Sequence, residues 1–257
     1  MRPAVRAATL GVLLAAGAGA APGAETADPA LGRRTYEENC AVCHGADGDG
    51  RGPAAHHFAS PPRDLTSGRF KLRSTGSGQL PTDADLKRSI VRGLPGTGMV
   101  PQDHLDPVEV DAVVAYLKTL VPKFAASPPP QPLPIPAAPP HSAEAVARGR
   151  KAYDKAECHE CHGKLGRGDG PSAKDLKVKP ADLTRRPFKG GSTPEDIFRG
   201  ILTGYDGTPM PSYHLVLEDA ELWDLSYYIA SIGGPPETTD DERAGWQVVR
   251  QHQRLRR

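Results

Sequence analysis

Residues Cys40-Ala41-Val42-Cys43-His44 decide the fold, and the pattern returns as Cys158-His159-Glu160-Cys161-His162. All four cysteines of the chain lie in these two runs. Two thiols separated by two residues and followed at once by histidine are typical of c-type haem attachment, in which the imidazole binds the iron. We therefore expect two covalently bound haem c groups. Cys40, Cys43, Cys158 and Cys161 would attach them, and His44 and His162 would each bind an iron.

A zinc site is the alternative, because Cys-x-x-Cys pairs also build zinc-binding folds. The two cysteine pairs lie far apart in the chain, and each carries its own following histidine. Each pair also lies in a separate repeat. These features favour haem over zinc.

The two motifs belong to internal repeats of the sequence. The run from Gly48 to Pro53 matches the run from Gly166 to Pro171, and Phe70 matches Phe188 at the same spacing. The spacing then shortens, so the first repeat carries a short insertion around Leu72 to Gln79. Its glycine and serine content predicts a surface loop.

Two methionines occupy equivalent places in the repeats, in Gly-Thr-Gly-Met99 and Gly-Thr-Pro-Met210. Methionine is more often core filler than ligand. However, the chain has no other methionine besides Met1, so we expect Met99 and Met210 to be the sixth iron ligands. A thioether opposite histidine raises the reduction potential and closes the iron to other ligands. Val100, which separates Met99 from Pro101, is an irregularity of the first repeat. The competing ligands are His56, His57, His104 and His214.

Glycine and proline, with 28 and 27 residues, predict long loops between few regular elements. Apolar spacing and caps predict three helices per half: 29–39, 85–91 and 107–120, then 142–157, 195–202 and 218–232. Gly32 and Gly149 lie inside the first helix of each half. Because glycine destabilises a helix interior, we expect the last helix of each half to cross closely there.

Residues from about 29 to 232 resemble two tandem class I cytochrome c domains, through the Cys-x-x-Cys-His motifs, the glycine-rich runs and the Gly-Thr-x-Met segments. The resemblance implies an all-α fold of two cytochrome c-type domains, each with a few short helices and long Gly/Pro-rich loops around one haem. It implies His/Met ligation, and a carbonyl of Pro53 or Pro171 accepting the imidazole N–H. Six cations either neutralise haem propionates or are solvated: Arg63, Arg69, Lys71, Arg185, Arg186 and Lys189.

The resulting domain prediction has five parts. Residues 1–24 form a signal peptide, 25–121 and 142–233 the cytochrome c domains, 122–141 a Pro-rich linker and 234–257 a polar tail. The linker is either a spacer or places Leu133 and Ile135 against a haem edge or the domain interface. The tail is either solvated or forms a helix from Asp240 that packs back on the body or contacts a partner. The signal predicts a periplasmic protein, with an uncleaved membrane anchor as the alternative.

The formal charge of +1 argues against nucleic acid as a partner. The leading hypothesis is an exported dihaem cytochrome that is not an enzyme and carries single electrons between redox proteins. Its donor and acceptor would be a membrane respiratory complex or a periplasmic oxidoreductase, with no small-molecule substrate. One alternative is the haem subunit of a larger dehydrogenase or reductase complex. Another is a dihaem enzyme, a peroxidase or a sulfur-compound dehydrogenase, which would need an open iron or an unusual ligand.

Overall fold

The computed structural model describes residues 28–255, which form ten α-helices, three 3-10 turns and no β-strand. The predicted all-α fold is confirmed. The predicted signal peptide, residues 1–24, lies outside the described residues. The helices are α1 Pro29–Asn39, α2 Ala41–His44, α3 Asp83–Arg92, α4 Pro107–Thr119, α5 Lys123–Ala126, α6 Ala143–Lys155, α7 Cys158–His162, α8 Pro194–Thr203, α9 Asp219–Ser231 and α10 Asp240–Leu255. The 3-10 turns are Ala55–His57, Leu65–Ser67 and Ala173–Asp175.

Side-chain caps fix where the first helix of each half begins. The Asp28 carboxylate accepts from the N–H of Ala30, and Pro29 takes the first helical position. The Ser142 hydroxyl accepts from the N–H of Ala145. Each helix therefore starts at the cap that its sequence predicts, and each leads directly toward a haem motif.

The last helix of each half crosses the first at the predicted glycine. A Cβ on Gly32 would lie 2.2 Å from the carbonyl oxygen of Ala112 in α4, and one on Gly149 would lie 1.9 Å from that of Asp224 in α9. No side chain fits at either place. The prediction from the two helix-interior glycines is confirmed, and the α1–α4 and α6–α9 crossings form the frame of the two halves.

The two halves have cores of unequal size. Within residues 28–255, fifteen buried residues cluster around α6, α8 and α9, where Phe198 and Trp223 stack at 4.6 Å between ring centroids. The cluster around α1, α3 and α4 has six buried residues. Of the described residues, thirteen hydrophobic residues are buried in the first half and sixteen in the second, but those of the first half form the smaller connected cluster. An additional apolar group would therefore connect more of the core in the first half.

The linker lies against both halves. The N–H of Leu133 donates to the carbonyl of Ser74 in the first half at 2.8 Å. Leu133 and Ile135 pack against the core of the second half, and the Tyr227 hydroxyl donates to the Pro139 carbonyl. Of the two interpretations of the linker, packing at the interface holds in this structure.

The insertion of the first repeat is not a free surface loop. Arg73 and Thr75 are buried, with relative exposures of 3% and 0%, whereas residues 77–79 are exposed. Arg73 is buried because its side chain reaches the end of α8 in the second half. The prediction of a surface loop, which rested on composition alone, holds for residues 77–79 and is wrong for Arg73 and Thr75.

The tail after residue 234 is not a simple polar extension. It forms α10, and its first turn returns to the first half, where the Asp241 carboxylate accepts from the N–H groups of Ala59 and Ser60. Near its other end, His252 bonds to the carbonyl of Glu38 at 3.0 Å. Of the two interpretations of the tail, the helix that packs back is the one observed.

Candidate functional site

Each Cys-x-x-Cys-His run lies in a short helix, and the glycine-rich loop that follows it forms backbone hydrogen bonds to that helix. The N–H of Gly52 donates to the carbonyl of Cys43, and that of Gly170 donates to the carbonyl of Cys161. A Cβ on Gly52 would lie 2.5 Å from the Val42 carbonyl oxygen. The glycines are therefore required for this close approach, which fixes the position of both thiols and the imidazole.

A buried tyrosine also fixes each motif. The hydroxyl of Tyr36 donates to the carbonyl of Gly45 at 2.6 Å, and that of Tyr153 donates to the carbonyl of Gly163 at 2.7 Å. Both carbonyls come directly after the histidine of the motif. From the sequence these tyrosines were assigned no role, and their recurrence at matched positions of both repeats was the signal for it.

The two motif histidines are oriented by backbone carbonyls other than the expected ones. Nδ1 of His44 lies 2.9 Å from the carbonyl oxygen of Arg63, and Nδ1 of His162 lies 2.9 Å from that of Ala181. The expectation that Pro53 or Pro171 supplies this carbonyl is wrong. The chain returns to the imidazole at residues 62–66 in the first half and 180–184 in the second. The acceptor carbonyl belongs to this returning segment in both halves.

This contact leaves the other ring nitrogen free to bind a metal. A carbonyl can only accept, so Nδ1 carries the proton and Nε2 presents its lone pair. Burial lowers the pKa of both His44 and His162, opposed by the bond to the carbonyl. Both imidazoles are therefore held neutral, the form that binds iron.

The thiols lie in apolar surroundings. Burial raises the pKa of Cys40 to about 12, with a contribution from Cys43, and raises the pKa of Cys43 and Cys158 to about 11. Catalytic cysteines have the opposite property, a lowered pKa in an electropositive site. The pockets suit a covalently attached apolar group.

The two methionine loops have the same hydrogen bonds. The N–H of Leu94 donates to the Met99 carbonyl, and the N–H of Tyr205 donates to the Met210 carbonyl. In each loop a threonine hydroxyl, of Thr97 or Thr208, accepts from the methionine N–H at 3.2 Å. Both methionines are partly exposed. The loops are therefore equivalent structures.

The backbone hydrogen bond that follows Val100 is the same as that at the equivalent place in the second repeat. The N–H of Gln102 donates to the Ile90 carbonyl, just as that of Tyr213 donates to the Ile201 carbonyl. The repeats therefore stay in register past the methionine, and Val100 takes the place of Pro211. Val100 is therefore a substitution within the repeat, and its interpretation as an irregularity is wrong.

The competing histidines lie at the surface. His56, His57, His104 and His214 are all exposed, and Nε2 of His104 bonds to Asn39 at 3.1 Å. The unbroken register places His104 opposite Leu215, so it does not correspond to His214. The methionine loops are the better source of a sixth ligand.

Some of the six candidate cations lie together between the halves. The pKa of Lys71 is lowered by its burial and by the nearby charges of Lys189 and Arg63. Arg186 instead donates to the backbone carbonyls of Leu183 and Ile229, each at 2.8 Å.

The remaining cations face solvent. Arg185 is exposed and pairs with Glu237, and Arg69 is also exposed. Of the three cations between the halves, Lys71 and Arg63 are partly buried and Lys189 is exposed. That they neutralise haem propionates stays a prediction.

The donor set of each half fits haem c. The candidate donors are two thiols, an imidazole with its Nε2 lone pair free, and a methionine whose N–H donates to a threonine hydroxyl of the same loop. Among residues 28–255, no group of three or more His, Cys, Asp or Glu side chains is placed to hold a metal ion. Histidine with methionine is the ligand set of cytochrome c iron.

Comparisons with known proteins match each half of the chain to a cytochrome family. The family described as "Cytochrome c" matches residues 29–121, and the family described as "Cytochrome C oxidase, cbb3-type, subunit III" matches residues 144–229. The chain is also similar to a solved structure from Kuenenia stuttgartiensis, the reducing HAO-like protein complex Kustc0457/Kustc0458. The TM-score is 0.76 and the identity 38%, over 79% of this chain and 96% of that chain.

Two curated relatives are cbb3-type cytochrome c oxidase subunits CcoP. The relative from Azospirillum sp. (strain B510) is 29% identical and the one from Azospirillum brasilense 25% identical, each over 79% of this chain. The aligned region spans 62% and 61% of those relatives' own lengths. Within the described residues, no helix is both long and apolar enough to cross a membrane.

Proposed function

The chain belongs to the cytochrome c family, with two haem c domains in tandem, and we propose that it passes single electrons between redox proteins through two irons closed by His/Met ligation. The proposed ligands are His44 with Met99 and His162 with Met210. Cys40, Cys43, Cys158 and Cys161 form the thioether bonds. Haem c, when bound, supplies an iron that gains or loses one electron.

The matched methionine loops carry this proposal. Both have the same backbone hydrogen bonds, and each would close the sixth position of its iron. A closed iron leaves no coordination site for a substrate, so we propose that the protein is not an enzyme and takes no small-molecule substrate.

The proposed boundaries follow from the same features. We assign 25–121 and 142–233 to the haem domains, with 122–141 as the linker and 234–257 as a C-terminal segment that contains α10. We propose that residues 1–24 are a signal peptide and that the protein works in the periplasm, where haem c proteins meet their donors and acceptors.

Replacing each methionine tests the ligand assignment. In Met99→Ala and Met210→Ala, the oxidised protein should lose, one haem at a time, the weak long-wavelength absorption band of methionine-ligated ferric haem. The reduced variants should also bind one carbon monoxide per chain, because the sixth position is then open. Visible spectra and carbon monoxide titration measure both effects.

The control is His104→Ala, which changes an exposed histidine after the first methionine. It should leave the spectrum unchanged. The band persisting in the Met99→Ala/Met210→Ala double variant would contradict the ligand assignment. Rapid carbon monoxide binding by the reduced wild type would favour an enzyme.

A second candidate function is that of a haem subunit in a larger complex. The similarity over 96% of a chain in a solved HAO-like complex favours it. This role keeps electron transfer and adds a permanent partner. Purification from native periplasm without detergent should then yield a stoichiometric partner, whereas recovery of the chain alone at low and physiological salt would support a free carrier.

A further inference from the structure

The insertion of the first repeat holds the methionine loop of the second. The Arg73 side chain is fully buried, and its guanidinium donates to the carbonyls of Thr203 at 2.8 Å and Gly204 at 3.3 Å. It also pairs with Asp206 at 2.9 Å. These three residues end α8 and begin the loop that leads to Met210.

The same insertion makes further contacts with that loop. The Ser77 hydroxyl and the N–H of Gly78 both donate to the Asp206 carboxylate, at 3.2 and 3.1 Å. Asp206 therefore receives three donors from the insertion. The start of the Met210 loop is held by a segment that lies outside its own haem domain.

The tail helix holds the methionine loop of the first half in a similar way. A Cβ on Gly245 of α10 would lie 2.4 Å from the carbonyl oxygen of Gly98, the residue before Met99. On its other side, Gly98 packs against Phe58, whose ring would lie 2.3 Å from an added Cβ. Asp241 accepts from the backbone next to Phe58, at Ala59 and Ser60.

A sequence difference between the repeats matches this arrangement. The second repeat has Pro209 before its methionine, whereas the first has Gly98. Proline restricts the backbone by itself, and glycine does not. The loop with the freer backbone is the one enclosed by Phe58 and α10.

We propose that each methionine loop is positioned by a segment attached to the opposite half: Arg73 positions the Met210 loop, and α10 positions the Met99 loop. Arg73 and Gly245 are positioning residues that act through the loops. The inference rests on the ligands proposed above. It follows that the ligation of each haem depends on the folded state of the other half.

These contacts matter for ligation because a methionine stays on its iron only if the loop that carries it is also fixed in place. Supporting contacts around a ligand keep it within bonding distance and set the properties of the metal. A loop released from Arg73 or α10 would let its methionine leave the iron more often. The reduction potential of that haem would fall, and carbon monoxide would enter faster.

Two variants, each made in backgrounds that keep only one of the two methionines, separate the two contacts. In a Met99→Ala chain the remaining long-wavelength band reports Met210, and in a Met210→Ala chain it reports Met99. Arg73→Met should weaken the band in the first background and leave it unchanged in the second. Gly245→Val should do the reverse.

The rate of carbon monoxide binding, measured on chains that keep both methionines, gives a second readout. Arg73→Met should speed carbon monoxide binding to one haem about 5-fold or more, the lower end of typical coupling between sites. Redox titration should show one potential lowered and the other unchanged. Arg73→Lys should behave in between the wild type and Arg73→Met, because lysine can pair with Asp206 but cannot also reach both carbonyls.

Matched controls separate loop release from a general loss of stability. Arg34→Met removes an exposed arginine from α1, and Gln247→Val adds a β-branched residue to an exposed position of α10. Both should behave as wild type. If Arg73→Met or Gly245→Val fails to fold, the milder Asp206→Asn and Asp241→Asn replace them, with the same expected direction for each haem.

The outcomes distinguish this inference from the proposed function. If both bands vanish with their methionines but neither responds to Arg73→Met or Gly245→Val, only the inference is wrong. Equal effects of one variant on both haems would also contradict it. If the bands persist without the methionines, the ligand assignment itself fails.

Discussion

Gly149→Ala should destabilise the second half by about 3 kcal/mol or more, the upper end for overpacking a well-packed core. The new Cβ would lie 1.9 Å from the carbonyl oxygen of Asp224 and 2.8 Å from the Cβ of Tyr228. A backbone carbonyl inside α9 cannot move away without breaking helical hydrogen bonds. The clash must therefore separate α6 from α9, which would also lengthen the Arg148–Asp224 ion pair.

Whether Gly149→Ala lowers or raises the stability distinguishes the packing clash from helix propensity. Alanine is more favourable than glycine in a helix interior by about 1 kcal/mol, so propensity alone predicts stabilisation. The control Ala147→Gly, at an exposed position of the same helix, should cost about 0.5–1 kcal/mol. Thermal and denaturant unfolding followed by circular dichroism measure both variants.

Gly32→Ala is the equivalent change in the first half, with 2.2 Å to the Ala112 oxygen. It should destabilise that half in the same way. A rise in the midpoint of unfolding for either glycine variant would show that the helices separate easily, and would contradict the crossings described above.

The sequence was enough for the fold class, the helix crossings and the two haem c groups, whereas the methionine ligands stay a prediction. Gly32 and Gly149 could be interpreted because a glycine inside a helix has few explanations other than close packing. The haem motifs and the paired methionines combine rare residue types with a fixed spacing, so they could be recognised without coordinates.

The acceptor of the imidazole N–H could not be predicted in the same way. It is a backbone carbonyl, of Arg63 or Ala181, and any residue type supplies one. Its identity depends on where a loop returns to the site. The sequence carries no signal for that path.

The insertion and the tail show a second limit of sequence reasoning. Glycine and serine are typical of exposed loops, and one arginine among them gave no sign that its side chain is fully buried. The tail had a weak signal in Trp246 and Val249, which share a helix face and are partly buried, whereas Leu255 is 80% exposed. Contacts between halves depend on how two folded units meet, which local patterns do not encode.

Loss of covalent haem should affect the two halves unequally. Cys40→Ala/Cys43→Ala and Cys158→Ala/Cys161→Ala should each leave one covalent haem per chain, as measured by mass spectrometry under denaturing conditions. Of the described residues, the first half buries a cluster of six and the second a cluster of fifteen. A haem is therefore a larger share of the first core.

We expect the Cys40→Ala/Cys43→Ala chain to unfold throughout its first half, because the six-residue cluster is too small to offset the chain entropy of so many loops. Limited proteolysis should cut it between residues 28 and 121 and spare a fragment that carries the second haem. In Cys158→Ala/Cys161→Ala, the packing of α6 with α9 and the Phe198–Trp223 contact should keep partial protection in the second half. Met99→Ala, which keeps the covalent haem, is the control and should resist the protease like the wild type. Equal protection of the two haem-free halves would mean that core size does not decide which half depends on its cofactor.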